Sequence, residues 1–175
     1  MYSPTIGNFV AFGSRGPNPG QLVNPSGIAI TDGKAYIADT ANHRISVFTA
    51  GGVFVTTFGS RGLTEGKFVN PIGVAAHEGR LYISDGDNHR IQVFDLEGNF
   101  LSTFGSRGPN EGQLMYPKHL FVDDTGVYVA DYGNHRIARF TLDGRPLPAI
   151  GSKGVEVGKL SSPVGVLRAG NYLIV

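Results

Sequence analysis

The residues of this chain with chemistry to offer are five histidines and a recurring set of Asp, Asn and Arg. His43, His89 and His135 stand at steps of 46 residues, each between an Asn and an Arg. Three imidazoles with one open coordination position can hold zinc and activate water, provided that they converge. Asp39, Asp85 and Asp131 precede them at a fixed distance. A carboxylate there can accept from backbone N–H groups of its own loop, and a neighbouring Arg fork can pair with it. Arg15, Arg61 and Arg107 each follow a Gly-Ser pair, where a guanidinium can face solvent and an anionic partner. Other chemistries find no support. There is no Cys, which excludes disulfides and thiolate metal sites. There is no G-x-S-x-G, no phosphate loop with Lys-Ser/Thr, and no acidic pair at a convincing spacing.

The elements that position these residues follow from a repeat. Gly-Ser-Arg-Gly occurs at 13–16, 59–62 and 105–108, and Gly-Ser-Lys-Gly at 151–154. Asn-His-Arg occurs at 42–44, 88–90 and 134–136, and Pro25, Pro71, Pro117 and Pro163 keep the same step of 46. Three markers in phase define units 13–58, 59–104 and 105–150, with a partial unit 151–175 and a strand at 6–12. In the second unit four strand-like runs are expected at Gly73–Ala76, Arg80–Ser84, Arg90–Phe94 and Asn99–Phe104. Turn signals at 77–80, 85–89 and 95–98 separate them. The 26 glycines, about twice the usual share of roughly 7%, fit many tight turns. No stretch shows helical spacing. Four short antiparallel strands per unit predict an all-β fold of propeller blades, about 3.8 blades in this chain.

The runs Tyr36-Ile37-Ala38-Asp39, Tyr82-Ile83-Ser84-Asp85 and Tyr128-Val129-Ala130-Asp131 carry a family resemblance. Asn42-His43-Arg44-Ile45, Asn88-His89-Arg90-Ile91 and Asn134-His135-Arg136-Ile137 follow them, and Phe-Gly-Ser-Arg-Gly comes next. These resemble NHL-type repeats, with Arg where the family name has Leu. The resemblance implies a β-propeller that usually closes with six blades. With fewer units here, three arrangements are open: a fragment of a longer protein, a closed four-bladed ring, or a ring or stack completed by other chains. The fragment and the multi-chain arrangement are preferred. An open arc exposes apolar blade faces and unpaired strand edges, which favours self-association.

Function is less legible, because propellers host many activities. The net charge is +1, which gives no overall pull toward nucleic acid or anionic membrane. The polar loops sort unevenly between the two blade faces. The face with the Asn-His-Arg loops and the Gly-Ser-Arg links, the upper face, carries ten basic against seven acidic side chains; the lower carries three against seven. Positions that break the repeat are the candidate partner-binding residues. Met115 replaces Val23 and Val69, Tyr116 replaces Asn24 and Asn70, and Tyr132 replaces Thr40 and Gly86. Lys118-His119 replace Ser26-Gly27 and Ile72-Gly73. With Arg15, Arg61 and Arg107 they form the candidate site. The repeated Asp39, Asn42, His43, Arg44 and their copies are expected to build blades, with the Arg stacking across to the next blade.

Three functions are compatible with the resemblance. A non-catalytic protein-interaction or scaffold module is the leading expectation, part of a larger extracytoplasmic or multidomain protein. RNA binding on the Arg-bearing face, as in tripartite-motif-type proteins, is the second. The third is an enzyme resembling the lyase that completes peptide amidation, whose zinc ligands are His directly after the first-strand Pro. Here those positions are Ser26, Ile72, Lys118 and Val164, and His119 is one residue out of place. His43, His89 and His135 lie on outer loops of different blades and are not expected to converge. No enzyme activity, cofactor or metal is therefore expected. The first residues lack a basic and apolar leader pattern, and no apolar run approaches the roughly 20 residues of a membrane-spanning helix. Compartment is left open.

Overall fold

The computed structural model describes residues 11–170 and 172–175. Three four-stranded antiparallel sheets run in chain order. The first comprises Pro25–Thr31, Lys34–Asp39, Arg44–Thr49 and Phe54–Phe58, and the second Pro71–His77, Arg80–Asp85, Arg90–Asp95 and Phe100–Phe104. The third comprises Pro117–Asp123, Gly126–Asp131, Arg136–Phe140 and Pro146–Ile150. A fourth sheet has the antiparallel pair Leu167–Ala169 and Tyr172–Ile174. These are the blades of a partial β-propeller. Most of the expected strand 6–12 lies outside the described residues. Phe12 is described, and its ring packs 4.8 Å from that of Phe48.

The first strand of each blade lies innermost, packed against the first strand of the next. The second and third strands are covered on both faces by neighbouring blades. They therefore read as continuous apolar runs, such as Leu81-Tyr82-Ile83, instead of alternating. Between blades one and two, Tyr36, Ile45, Val47, Phe68, Val74 and Phe94 form one core. Tyr82, Ile91, Val93, Leu114, Val127 and Phe140 repeat it between blades two and three. The buried tyrosines hold the blades together at the far end as well. Tyr36 Oη donates to Leu96 O at 3.0 Å, and Tyr82 Oη to Leu142 O at 3.4 Å, each in the following blade.

Local geometry follows turn chemistry. Asp32-Gly33 and Glu78-Gly79 have positive φ at both positions, as a two-residue type I′ hairpin requires. Each link between blades is tied by a short parallel ladder: Ser14–Arg15 with Gln21–Leu22, then single bridges Arg61 to Phe68, Arg107 to Leu114 and Lys153 to Leu160. The first strands carry a register shift just after the repeated proline, at Pro25/Ile28, Pro71/Val74 and Pro117/Leu120. That shift contains Ser26-Gly27, Ile72-Gly73 and Lys118-His119, the pair where the third unit departs from the others. Bulges of this kind re-aim side chains at the rim of a barrel or channel.

Glycine at this shift lets inner strands touch. A Cβ at Gly73 would lie 2.9 Å from His119 Cα and from Lys118 O. One at Gly165, two blades on, meets nothing within 4 Å. Gly73→Ala should therefore destabilise the chain by about 1–3 kcal/mol through overpacking. Gly165→Ala should stay within about 0.5 kcal/mol of the parent. Urea denaturation followed by circular dichroism compares the two, and equal midpoints would contradict this account of inner-strand packing.

Candidate functional site

The repeated Asp lies at the end of each second strand and is fully buried: Asp39, Asp85 and Asp131 have 0% exposure. A three-residue 3-10 turn follows each one and places His43, His89 and His135 in the left-handed region, with φ of 56, 57 and 55°. In blade one, Asp39 Oδ1 accepts the Val23 N–H at 2.7 Å and Asp39 Oδ2 accepts Arg44 Nε at 2.8 Å. Asn42 Nδ2 donates to both Asp39 oxygens and to Gly16 O. Blade two repeats this with Val69, Arg90 and Asn88, and blade three with Met115, Arg136 and Asn134. Burial pushes the Asp85 carboxyl above its usual range, against the pull of Asn88, the Val69 N–H and Arg90.

Two sequence expectations change here. The Asp carboxylates accept a backbone N–H from the link 16 residues earlier, not from their own loops. The Arg forks also reach backward instead of stacking on the next blade. Arg44 donates to Pro17 O, Asn18 O and Gln21 O, and Arg136 to Pro109 O, Asn110 O and Gln113 O. The reason is reach. Once Nε is committed to the buried carboxylate, the fork points at the link carbonyls that enter the same blade.

Histidine makes the forward connection. The Nδ1 atoms of His43, His89 and His135 accept the N–H of Asn70, Tyr116 and Ser162 at 3.1, 3.0 and 3.0 Å. Those acceptors tie each imidazole to a separate link, so the three rings are occupied in three different places. Composition and spacing gave no signal for this bond, because its donor is a backbone group 27 residues away.

The pattern-breaking residues divide. The Met115 main chain does what its counterparts do: its O accepts the Gly133 N–H at 2.8 Å, as Val23 O and Val69 O accept from the turns of their own units. Tyr116 occupies a left-handed position, φ 52°, where the other units have Asn24, Asn70 and Ser162. A bulky side chain is uncommon there. Its ring is 42% exposed and meets the His89 ring edge-on at 4.7 Å. Lys118 Nζ stands 5.3 Å from the centroid of Tyr132, which is 38% exposed. Arg15, Arg61 and Arg107 are exposed, and none donates a side-chain hydrogen bond among the described residues. His119 departs from this group. Its N–H bonds Val164 O, and its ring lines an inner cavity with Ile28, Val74, Leu120 and Val166. Burial, reinforced by Lys118, lowers its pKa.

Sequence reasoning missed a cluster on the lower face. Donor atoms of His77, Glu78 and Asp124 lie within 4.8 Å of one another, with His77 Nε2 3.3 Å from Asp124 Oδ1. Two exposed carboxylates and one imidazole fall short of the closed shell of a structural zinc site. It also missed the buried third-strand position Ser46, Gln92 and Ala138, which the same 46-residue step would have exposed.

The NHL repeat family matches this chain at residues 22–48 and 68–94. No curated protein sequence matches it. Among solved structures, a chain of the nidogen/laminin complex is 25% identical, over 87% of this chain and 55% of that one, with a TM-score of 0.62. A putative exported protein of Bacteroides fragilis NCTC 9343 is 15% identical over 95% and 48%, with a TM-score of 0.67. Kuenenia stuttgartiensis hydrazine synthase is 14% identical over 95% and 42%, with a TM-score of 0.62. The chain thus spans about half the length of these structures, and the last two likenesses speak to fold alone.

The forward His bond carries a pH prediction. Burial, with Arg107 nearby, lowers the pKa of His89, and Nδ1 can accept from Tyr116 only while unprotonated. The unfolded chain, near pKa 6.5, takes up the proton first as pH falls. The bond's stabilisation is therefore present above about pH 6.5 and lost below it. His89→Asn, which suits the left-handed position, should cost about 1 kcal/mol at pH 7.5. The gap from the parent should narrow at pH 5.5. Urea midpoints at both pH values measure this, and a gap that widens toward acid would reverse the assignment.

Proposed function

From the premise that this is an NHL-repeat β-propeller chain, we propose that it serves as a non-catalytic protein-interaction module whose upper face binds an acidic protein surface. The observation that carries the reading is what remains exposed once the repeated polar set is spent on holding blades. Asp39, Asn42, His43, Arg44 and their copies are engaged with the chain itself. Exposed on that face are Arg15, Arg61 and Arg107, with Tyr116 and Tyr132 and the partly exposed Lys118 beside the third link, interspersed with the carboxylates of Glu65, Asp87 and Glu111. Arg and Tyr are the residues enriched at interface hot spots, and loops on a rigid frame suit recognition. Tyr116 supports the same reading. A ring held in the left-handed region where Asn stands elsewhere is a local cost that a surface function can explain. The likeness to a chain of the nidogen/laminin complex, a protein–protein assembly by its name, agrees with this class.

The partner in this proposal is another protein or a second copy. The opposite charge of the lower loops makes head-to-tail stacking a form of the same interaction. RNA binding and lyase-like chemistry draw less support. The three repeated histidines each accept a backbone N–H from a different link, which supports a role in joining blades.

The test uses fluorescence anisotropy with labelled oligoglutamate and, separately, single-stranded RNA, alongside light scattering over a concentration series. The parent chain is expected to bind oligoglutamate saturably. Arg15→Glu/Arg61→Glu/Arg107→Glu should weaken that binding at least about tenfold, or about 1.4 kcal/mol. Tyr116→Asn should weaken it severalfold while raising stability by up to about 1–2 kcal/mol, the cost of a left-handed residue. Tighter, salt-sensitive binding to RNA would move the function to nucleic acid. No binding to either probe, with a concentration-independent monomer near 18.6 kDa, would remove this face as an interaction surface.

A further inference from the structure

Two residues after the repeated Arg, each third strand has a buried position that differs between blades: Ser46, Gln92 and Ala138. In blade one, Ser46 Oγ donates to Asp39 Oδ2 at 3.3 Å. In blade two, the Gln92 carboxamide is held three ways. Its Oε1 accepts the Gly66 N–H at 2.9 Å, and its Nε2 donates to Lys67 O at 2.8 Å and to Asp85 Oδ2 at 3.1 Å. At the 46-residue step, the same three groups recur in blade three as Gly112 N–H, Gln113 O and Asp131 Oδ2. Ala138 has no polar atom for any of them.

A cavity of about 260 Å³ opens beside Ala138, lined among others by Glu111, Gly112, Arg136, Leu147 and Pro148. Asp131 is fully buried, yet its Oδ2 accepts only from Asn134 and Arg136. Asp85 Oδ2 accepts from Asn88, Arg90 and Gln92, and Asp39 Oδ2 from Asn42, Arg44 and Ser46. Blade three is thus one donor short on a buried carboxylate, on the side where blade two places an amide. Asp131 Oδ2 keeps two donors, so what blade three lacks is the one further bond that blades one and two make; of the three groups that hold Gln92, the counterpart Gly112 lines the cavity.

We propose that this cavity is a binding site for a primary carboxamide, the Gln or Asn side chain of a polypeptide or a small free amide. Gln92 shows the chemistry that fits. The amide carbonyl takes the Gly112 N–H, and the amide NH2 serves Gln113 O and Asp131 Oδ2. Leu147 and Pro148 give an aliphatic stem an apolar wall. An isosteric carboxylate sets negative charge against Asp131 and has no proton for Gln113 O. An amine leaves the Gly112 N–H without an acceptor. The site lies on the outer strands of blade three and is independent of the upper-face reading.

The experiment is a 1H–15N correlation titration of the chain with propionamide, propionate and propylamine at matched concentrations. Propionamide should shift the Gly112 amide saturably, and the two isosteres should bind at least about tenfold more weakly. A capped Gly-Gln-Gly peptide distinguishes the sources. Tighter binding than propionamide assigns a polypeptide side chain, and equal binding a small amide. Ala138→Gln should abolish the propionamide shift and raise the urea midpoint, because the chain then supplies its own amide as in blade two. The proposal is overturned by no shift at Gly112, by propionate acting as well as propionamide, or by a shift that survives in Ala138→Gln. The comparison of the three small molecules needs no variant and stands whether or not the substituted chain folds.

Discussion

The repeated polar residues of this chain answer to one constraint, a carboxylate with no exposure to water at the end of the second strand in each of the three four-stranded blades. A buried charge of that kind is tolerated only with paired and hydrogen-bonded partners. In each blade those partners come from four places: the link before the blade, the 3-10 turn after the Asp, the first residue of the third strand and, in blades one and two, a residue two further on. One side chain therefore fixes the path of the link, the turn and the start of the next strand. Replacing Arg90 alone would leave Asp85 charged and underpaired in the interior, which is why the Asp and Arg recur together and not separately.

The other repeated residues extend that local clamp into a chain of nearest-neighbour contacts. Arg and Asn reach back 23 to 27 residues to the link that enters their own blade. His reaches forward 27 residues to the link that enters the next. The links entering blades two and three are thus held from both sides, while the buried tyrosines bond the following blade from the opposite end. Stability in such an architecture is close to a sum of unit and interface terms. That explains why residues can vary in one unit without disturbing the rest, as Tyr116 and Lys118 do.

The period of 46, the four strands of each unit and the turn positions were all legible in the sequence, because turn chemistry and apolar runs are local signals. The strand ends expected for the second unit fall within one or two residues of those observed. What the sequence did not reveal depends on partners far along the chain. The role of His89 rests on a backbone N–H at Tyr116, and the direction of Arg44 on carbonyls at 17, 18 and 21. His119 looked like a companion of Lys118, yet the register shift sends its ring to the inner cavity while Lys118 stays over Tyr132. Residues adjacent in sequence diverge there because a bulge breaks strict alternation.

A repeat also supplies its own control experiments. In a unique fold, a cavity beside an alanine is ambiguous, since nothing shows what else could occupy the space. Here blade two contains the same backbone groups and the same buried carboxylate, with a carboxamide in place. Blade one answers the same carboxylate with a smaller hydroxyl. The difference between blades isolates what Ala138 withholds, a planar group that both donates and accepts, at a point where its binding partners are already oriented for other reasons. Preorganisation of that kind lowers the ordering cost of binding. A site can thus arise in a repeat protein by subtracting a side chain, without adding any residue chosen for the ligand.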